Sequence, residues 1–166
     1  MKNNNSIKPV VAVGIGAALF FVLGRFVAIP SPVPNTNISL QYAVLALLAA
    51  MYGPVVGGLI GFIGHTLIDL SWGGSPWWSW VIASAFVGVV VGLFAKKLDL
   101  QEGEFGKKKM AAFTVANIAA HLLAWVVVAP VLDILIYAEP VKKVFAQGAF
   151  AAVSNIITAV VVGGLL

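Results

Sequence analysis

The chain contains no cysteine. Disulfides, thiolate metal sites and cysteine nucleophiles are therefore excluded. It is also poor in charge: only 10% of its 166 residues are Asp, Glu, Lys or Arg, against roughly 25% in an average soluble domain. Neither a G-x-x-x-x-G-K-[ST] phosphate loop nor an H-E-x-x-H zinc motif occurs. No Ser/His/Asp set falls at a convincing common depth, so little favours an intramembrane enzyme.

What fills the chain is apolar: 61% of residues are hydrophobic and the mean hydropathy is +1.02. A spanning helix needs about 20 residues, which leaves room for about six spans and none for a soluble catalytic domain. The sequence thus predicts a single all-α integral membrane domain over residues 1–166, with six transmembrane helices near 9–29, 40–52, 54–71, 78–95, 110–132 and 144–166. Lys2 and Lys8 before the first apolar run imitate a signal peptide. Arg25 interrupts its far end, however, and no clean small-residue cleavage site follows. The last span ends without the polar tail that usually follows one, which predicts a few further residues.

The net charge of +4 points to topology rather than to nucleic acid. Lys2, Lys8, Lys96, Lys97, Lys107, Lys108 and Lys109 fall on one side, with Lys142 and Lys143 opposite. The positive-inside rule then puts both termini in the cytosol. The Pro-rich stretch 30–39, the Trp-rich stretch 72–80 and the connection from Asp133 to Glu139 would gather on the outer face. PSPVPNTNIS reads as an extended, rigid loop and a candidate lid. LDLQEGEFGKKK reads as an ordinary solvated loop.

The segment Gly53 to Ser71 organises the rest. Gly53, Gly57, Gly61, His65 and Asp69 recur every fourth residue, so a smooth glycine track leads to an ionisable pair. Small residues at that spacing admit a neighbouring helix closely, and ionisable groups inside a membrane need partners or a ligand. Arg25, His65, Asp69, Trp125 and Gln147 should share a depth below the outer loops, and His121 and Asn155 lie deeper. Asn35 and Asn37 of the Pro-rich loop, Gln41 just after it, and Trp77 and Trp78 from the Trp-rich loop complete the candidate binding set.

Each has a duller reading: Arg25 and Asp69 neutralising one another, His65 bonded to a carbonyl, Asn117 and Asn155 joining helices, the tryptophans anchoring the interface. Trp125, well inside a span, is favoured as a pocket wall. Aromatic planes beside an imidazole, a carboxylate and amides suit a small flat heteroaromatic molecule. On the first span, Ala12, Gly14, Gly16, Ala17 and Ala18 form overlapping small-xxx-small pairs, a surface for internal packing or for a separate partner.

The stretches GAALFFVLGRF, IPSPVPNTNI, YGPVVGGLIGFIGH and GSPWWSW, with the six-span plan, resemble the substrate-binding S component of energy-coupling factor (ECF) vitamin transporters. The particular branch resembled is the one described for hydroxymethylpyrimidine. This resemblance implies a prokaryotic plasma-membrane protein that binds a vitamin or precursor of hydroxymethylpyrimidine or pyridoxine type. It also implies a transmembrane coupling protein and two cytosolic ATPases as partners, with ATP and Mg used by those ATPases and no cofactor bound by this chain. Ala12, Gly16 and their neighbours would dock the coupling protein, and the whole subunit would topple in the bilayer to deliver its ligand. The alternative is a stand-alone proton-coupled transporter or channel with His65, Asp69 and His121 as a relay. The lack of a repeated half with matching broken helices speaks against it.

Overall fold

The computed structural model describes residues 7–94 and 105–166. Lys2, Lys96, Lys97 and most of the connection read as a solvated loop lie outside them. Nearly all of the described chain is helical: α1 (Ile7–Phe26), α2 (Gln41–Tyr52), α3 (Pro54–Ser71), α4 (Trp78–Leu93), α5 (Lys107–Leu122), a π-helical stretch (Leu123–Val128), α6 (Ala129–Tyr137) and α7 (Val141–Leu165). Four helical runs are long and apolar enough to cross a membrane, namely α1, α3, the continuous run Lys107–Tyr137 and α7. Two of the six expected spans correspond to shorter helices, α2 with 12 residues and α4 with 16.

The Pro-rich stretch is not simply extended. It closes into a minimal hairpin in which β1 (Ile29–Pro30) pairs antiparallel with β2 (Asn37–Ile38). Asn35 turns the chain with φ at 57°, a left-handed conformation that asparagine tolerates better than most residues. Thr36 Oγ1 donates to the Val33 carbonyl at 2.6 Å, which holds the turn.

Short α2 sits at the centre, packed against α1, α3, α4 and α7. Its buried Ala43, Ala46, Ala49 and Ala50 let those neighbours come close. Gly53, with φ at 91°, ends α2, and Pro54 opens α3 at a position where its missing N–H costs nothing. The glycine track then meets α4 backbone to backbone. A Cβ at Gly57 would run into the Gly88 carbonyl, one at Gly61 into the Ser84 carbonyl, and one at Gly88 into the Gly57 carbonyl. Close packing of this kind replaces the hydrophobic drive that helices lack in lipid.

The small-residue surface of α1 divides in two. Ala12, Gly16 and Ala17 are buried, and a Cβ on Gly16 would strike Ile60 and Leu48. These three serve internal packing and do not form the outward docking face expected of them. Gly14, with open space around its Cβ position, and Ala18 face outward.

The fifth span also differs from expectation, because the helix passes Leu132 and continues to Tyr137. Pro130 would clash with the preceding turn of a regular helix, and the wider π-helical turns just before it relieve that crowding. Asp133 consequently lies inside a helix and faces the protein interior.

Gly88→Leu is expected to lower stability by about 1–3 kcal/mol or more, because the new side chain has a backbone carbonyl in its way. Gly74→Ala, in open space, should leave stability unchanged. Thermal unfolding in detergent, followed by circular dichroism, measures both.

Candidate functional site

The hairpin, the loop after α3 and the turn after α6 gather at one end of the bundle, over a cavity of about 430 Å³. Its walls come from several elements distant in sequence. Asn35, Thr36, Asn37 and Ser39 of the hairpin region, Gln41 and Tyr42 of α2, and His65 and Asp69 of α3 line it together with Trp72, Trp77, Trp80, Asp133, Glu139, Lys143, Gln147 and Asn155.

Of the residues expected from sequence, Asn35, Asn37, Gln41, His65, Asp69, Trp77, Gln147 and Asn155 are thus brought together. Gln147 Nε2 donates to the Pro34 carbonyl at 2.8 Å, which ties the hairpin to α7. Gln41 Oε1 accepts from Ser39 Oγ at 3.1 Å. Asp69 accepts from the Trp77 backbone N–H at 2.8 Å, and its other oxygen lies 3.7 Å from His65 Nε2.

The remaining four do not line the cavity. Arg25 makes no ion pair with Asp69. Its guanidinium carbon sits 3.7 Å above the ring of Trp72 and 5.4 Å from that of Phe26, a cation–π arrangement that keeps the charge near the rim. Trp78 stacks on Phe62 at 6.1 Å and is half-exposed on the outside of the bundle. Trp125, expected as a pocket wall, is fully buried one layer back. Its ring packs at 5.6 Å from Tyr42 and 5.1 Å from Trp80. His121 is held in that layer too, its Nδ1 accepting from Trp125 Nε1 at 2.9 Å.

Among the described residues, Asp133 has the densest set of side-chain donors, and sequence reading took it for a helix-end charge. Trp77 Nε1 donates to it at 2.7 Å, Trp80 Nε1 at 3.0 Å, and Ser79 Oγ also donates. Trp77 in turn stacks on Tyr137 with centroids 4.0 Å apart. One carboxylate therefore orients two cavity tryptophans. The signal available in sequence was its spacing from Tyr137, one helical turn away, but only if the helix was known to continue.

The other charged pair at the rim is Lys143 with Glu139, at 2.7 Å. Glu139 follows Ala138, whose left-handed φ of 53° ends α6, and its N–H returns to the Asp133 carbonyl at 3.3 Å. Tyr42, Thr36 and Ser39 are among the lining residues that sequence reading missed, and Trp72 and Trp80 join Trp77 from the Trp-rich loop.

Known proteins place this arrangement. Residues 4–166 match the profile of the family described as "ECF-type riboflavin transporter, S component". The chain belongs to the family of ECF-type transporter S components. A UPF0397 protein of Enterococcus faecalis is 51% identical over 166 residues, covering all of this chain and 91% of the relative. One from Exiguobacterium is 54% identical, covering 99% and 90%, and one from Streptococcus agalactiae is 55% identical with the same coverage. Among solved structures, the S component for biotin from an ECF-type ABC transporter has the same fold, with a TM-score of 0.63 over 99% of this chain and 94% of that one, at 19% identity. This S component is accordingly an all-α membrane protein and a transporter subunit, not an enzyme.

Asp133→Ala should destabilise this S component by about 1.5–3 kcal/mol, since three donors lose a charged acceptor. Near-ultraviolet circular dichroism should weaken as Trp77 and Trp80 lose their fixed orientation. Retention of the full tryptophan signal would show that the carboxylate does not orient them.

Proposed function

We propose that this S component captures a small heteroaromatic vitamin or precursor, of the hydroxymethylpyrimidine or pyridoxine type, in the cavity beneath the hairpin. The observation that carries the reading is the cavity itself, with three indole rings beside a carboxylate, an imidazole and side-chain amides in a volume suited to one small molecule. Flat rings stack on indole, while ring nitrogens, hydroxyls and an amine find partners in Asp69, Asn155 and Gln147.

In this reading the chain crosses the membrane six times, with short α2 and α4 completing the bundle and both termini in the cytosol, as the lysine distribution requires. The cavity then opens outward, and the hairpin is its lid. A transmembrane coupling protein and two ATPases, which use ATP and Mg, complete the importer. The outward pair Gly14 and Ala18, with exposed Val11, Ile15 and Val22 around them, is the surface of α1 left to receive the coupling protein. A stand-alone proton-coupled carrier is less well supported. His121 is engaged by Trp125 behind the cavity wall, so the three-residue relay that reading needs is not continuous.

Mass spectrometry of small molecules released from the detergent-purified chain, followed by calorimetric titration, tests the proposal. A stoichiometric pyrimidine or pyridine alcohol is expected, and Asp69→Asn should weaken its binding by about tenfold, the equivalent of one charged hydrogen bond. Tight binding should not require the ATPases. Proton-driven uptake by the purified chain alone in liposomes would instead establish the carrier reading.

A further inference from the structure

The wall between α2, α3 and α4 contains a chain of hydrogen bonds whose direction decides what the cavity can recognise. Ser84, fully buried on α4, stands between two cavity residues: its Oγ is 2.6 Å from His65 Nδ1 and 2.8 Å from the Tyr42 hydroxyl. A serine hydroxyl has one hydrogen and can donate to only one of them. The choice is made at the far end of the imidazole. His65 Nε2 lies 3.7 Å from Asp69 Oδ1, too far for a good hydrogen bond but close enough for a carboxylate to favour the tautomer with its N–H on that side. Buried at 8% exposure, this imidazole is costly to charge. Nδ1 then carries a lone pair, Ser84 must donate to it, and Tyr42 must donate to Ser84.

We infer that Ser84 is a positioning residue that fixes the polarity of the pocket, with His65 a donor at Nε2 and Tyr42 an acceptor, so that the ligand is a hydrogen-bond donor and not a carboxylate. The deduction of ligand class rests on the proposed binding function; that of polarity does not. With its own proton spent on Ser84, the Tyr42 oxygen has only lone pairs, shared between the Gln41 side chain and the cavity, and Asp69 offers only acceptors beside it. Asn155, buried at 5% exposure and lining the same cavity, is an amide with capacity for either role. Among the described residues the lysine or arginine that lines the cavity is Lys143, already engaged by Glu139 at 2.7 Å, and Arg25 is turned onto Trp72. A carboxylate entering this space would meet three carboxylates, Asp69, Asp133 and Glu139, and the lining cation Lys143 is already paired with the last of them. An amine, a hydroxymethyl group or a protonated ring nitrogen would meet acceptors.

The first test needs no ligand. Nitrogen NMR of the histidine-labelled chain in detergent, with His65 assigned by its loss in His65→Gln, should show a pyrrole-type Nε2 and a pyridine-type Nδ1 for His65. Ser84→Ala should shift the His65 nitrogens and leave those of His121 in place, because Trp125 holds the latter. Tyr42→Phe should leave the His65 tautomer unchanged. A protonated Nδ1 in the wild-type chain, or a Ser84→Ala spectrum identical to it, overturns the polarity.

The second test titrates pyridoxamine, pyridoxine and 4-pyridoxate, which share a ring and differ at one substituent. The amine and the alcohol should bind at least about tenfold more tightly than the acid. Ser84→Ala, which leaves the backbone contact with Gly61 untouched, should narrow that gap. Equal or tighter binding of 4-pyridoxate overturns the ligand class. Binding of none of the three, with the His65 tautomer as stated, overturns the proposed vitamin type and the ligand class drawn from it while upholding the polarity.

Discussion

The backbone contact between α3 and α4 is the constraint on which the rest depends. Gly57 and Gly61 on one helix and Gly88 on the other leave no room for a Cβ, so carbonyls lie where side chains would otherwise keep the helices apart. Two consequences follow from one geometry. The pair acquires dense dispersion contact without any hydrophobic drive from lipid. One turn beyond Gly61, the close approach brings His65 within hydrogen-bond range of Ser84, so packing in one half of the helix pair creates the polar wall in the other. Short α2 slots against the same pair and adds Tyr42 to that wall.

At the tryptophan wall of the cavity a single carboxylate has the organising role. Asp133 is nearly inaccessible, with 2% of its surface exposed, and an unpaired charge in such a place would be costly. It is tolerated because two indole N–H groups and a serine hydroxyl converge on it. Those donors hold the aromatic planes at fixed angles, with Tyr137 stacked on Trp77 and Trp125 tilted against Trp80. The cavity is therefore aromatic on one wall, acceptor-rich on another and closed by a hairpin that Gln147 ties to α7. Membership of the S-component family makes the chain a transporter subunit, and the ligand role of this cavity is the proposal made above.

Much of this was legible before any coordinates. The turn at Gly53 and Pro54, the central glycine helix and the shortness of α2 follow from residue types whose local physics is strong. So does the gathering of eight of the expected site residues, because helical rise places Gln41, His65, Asp69 and Gln147 at similar levels. Arg25, Trp78, Trp125 and His121 show the limit of that reasoning. Rise along a helix fixes depth but not azimuth, and each of these sits near the right level while facing rim, lipid or second layer. Asp133 has a different cause: the span was expected to end at Leu132, which put this carboxylate in a connection, whereas the helix runs on through the π-helical stretch to Tyr137.

By itself, the sequence determined an apolar, helical membrane protein without thiol chemistry, with a glycine-lined helix and a polar end. Those features depend on composition and on interactions within a few residues, which the order of amino acids states directly. Only the tertiary structure decided which half of the α1 small-residue surface is free, that Asp133 rather than Asp69 gathers the tryptophans, and that Ser84 joins His65 to Tyr42. Each of these is a meeting of side chains from different helices, and their rotation about one another is set by packing across the bundle.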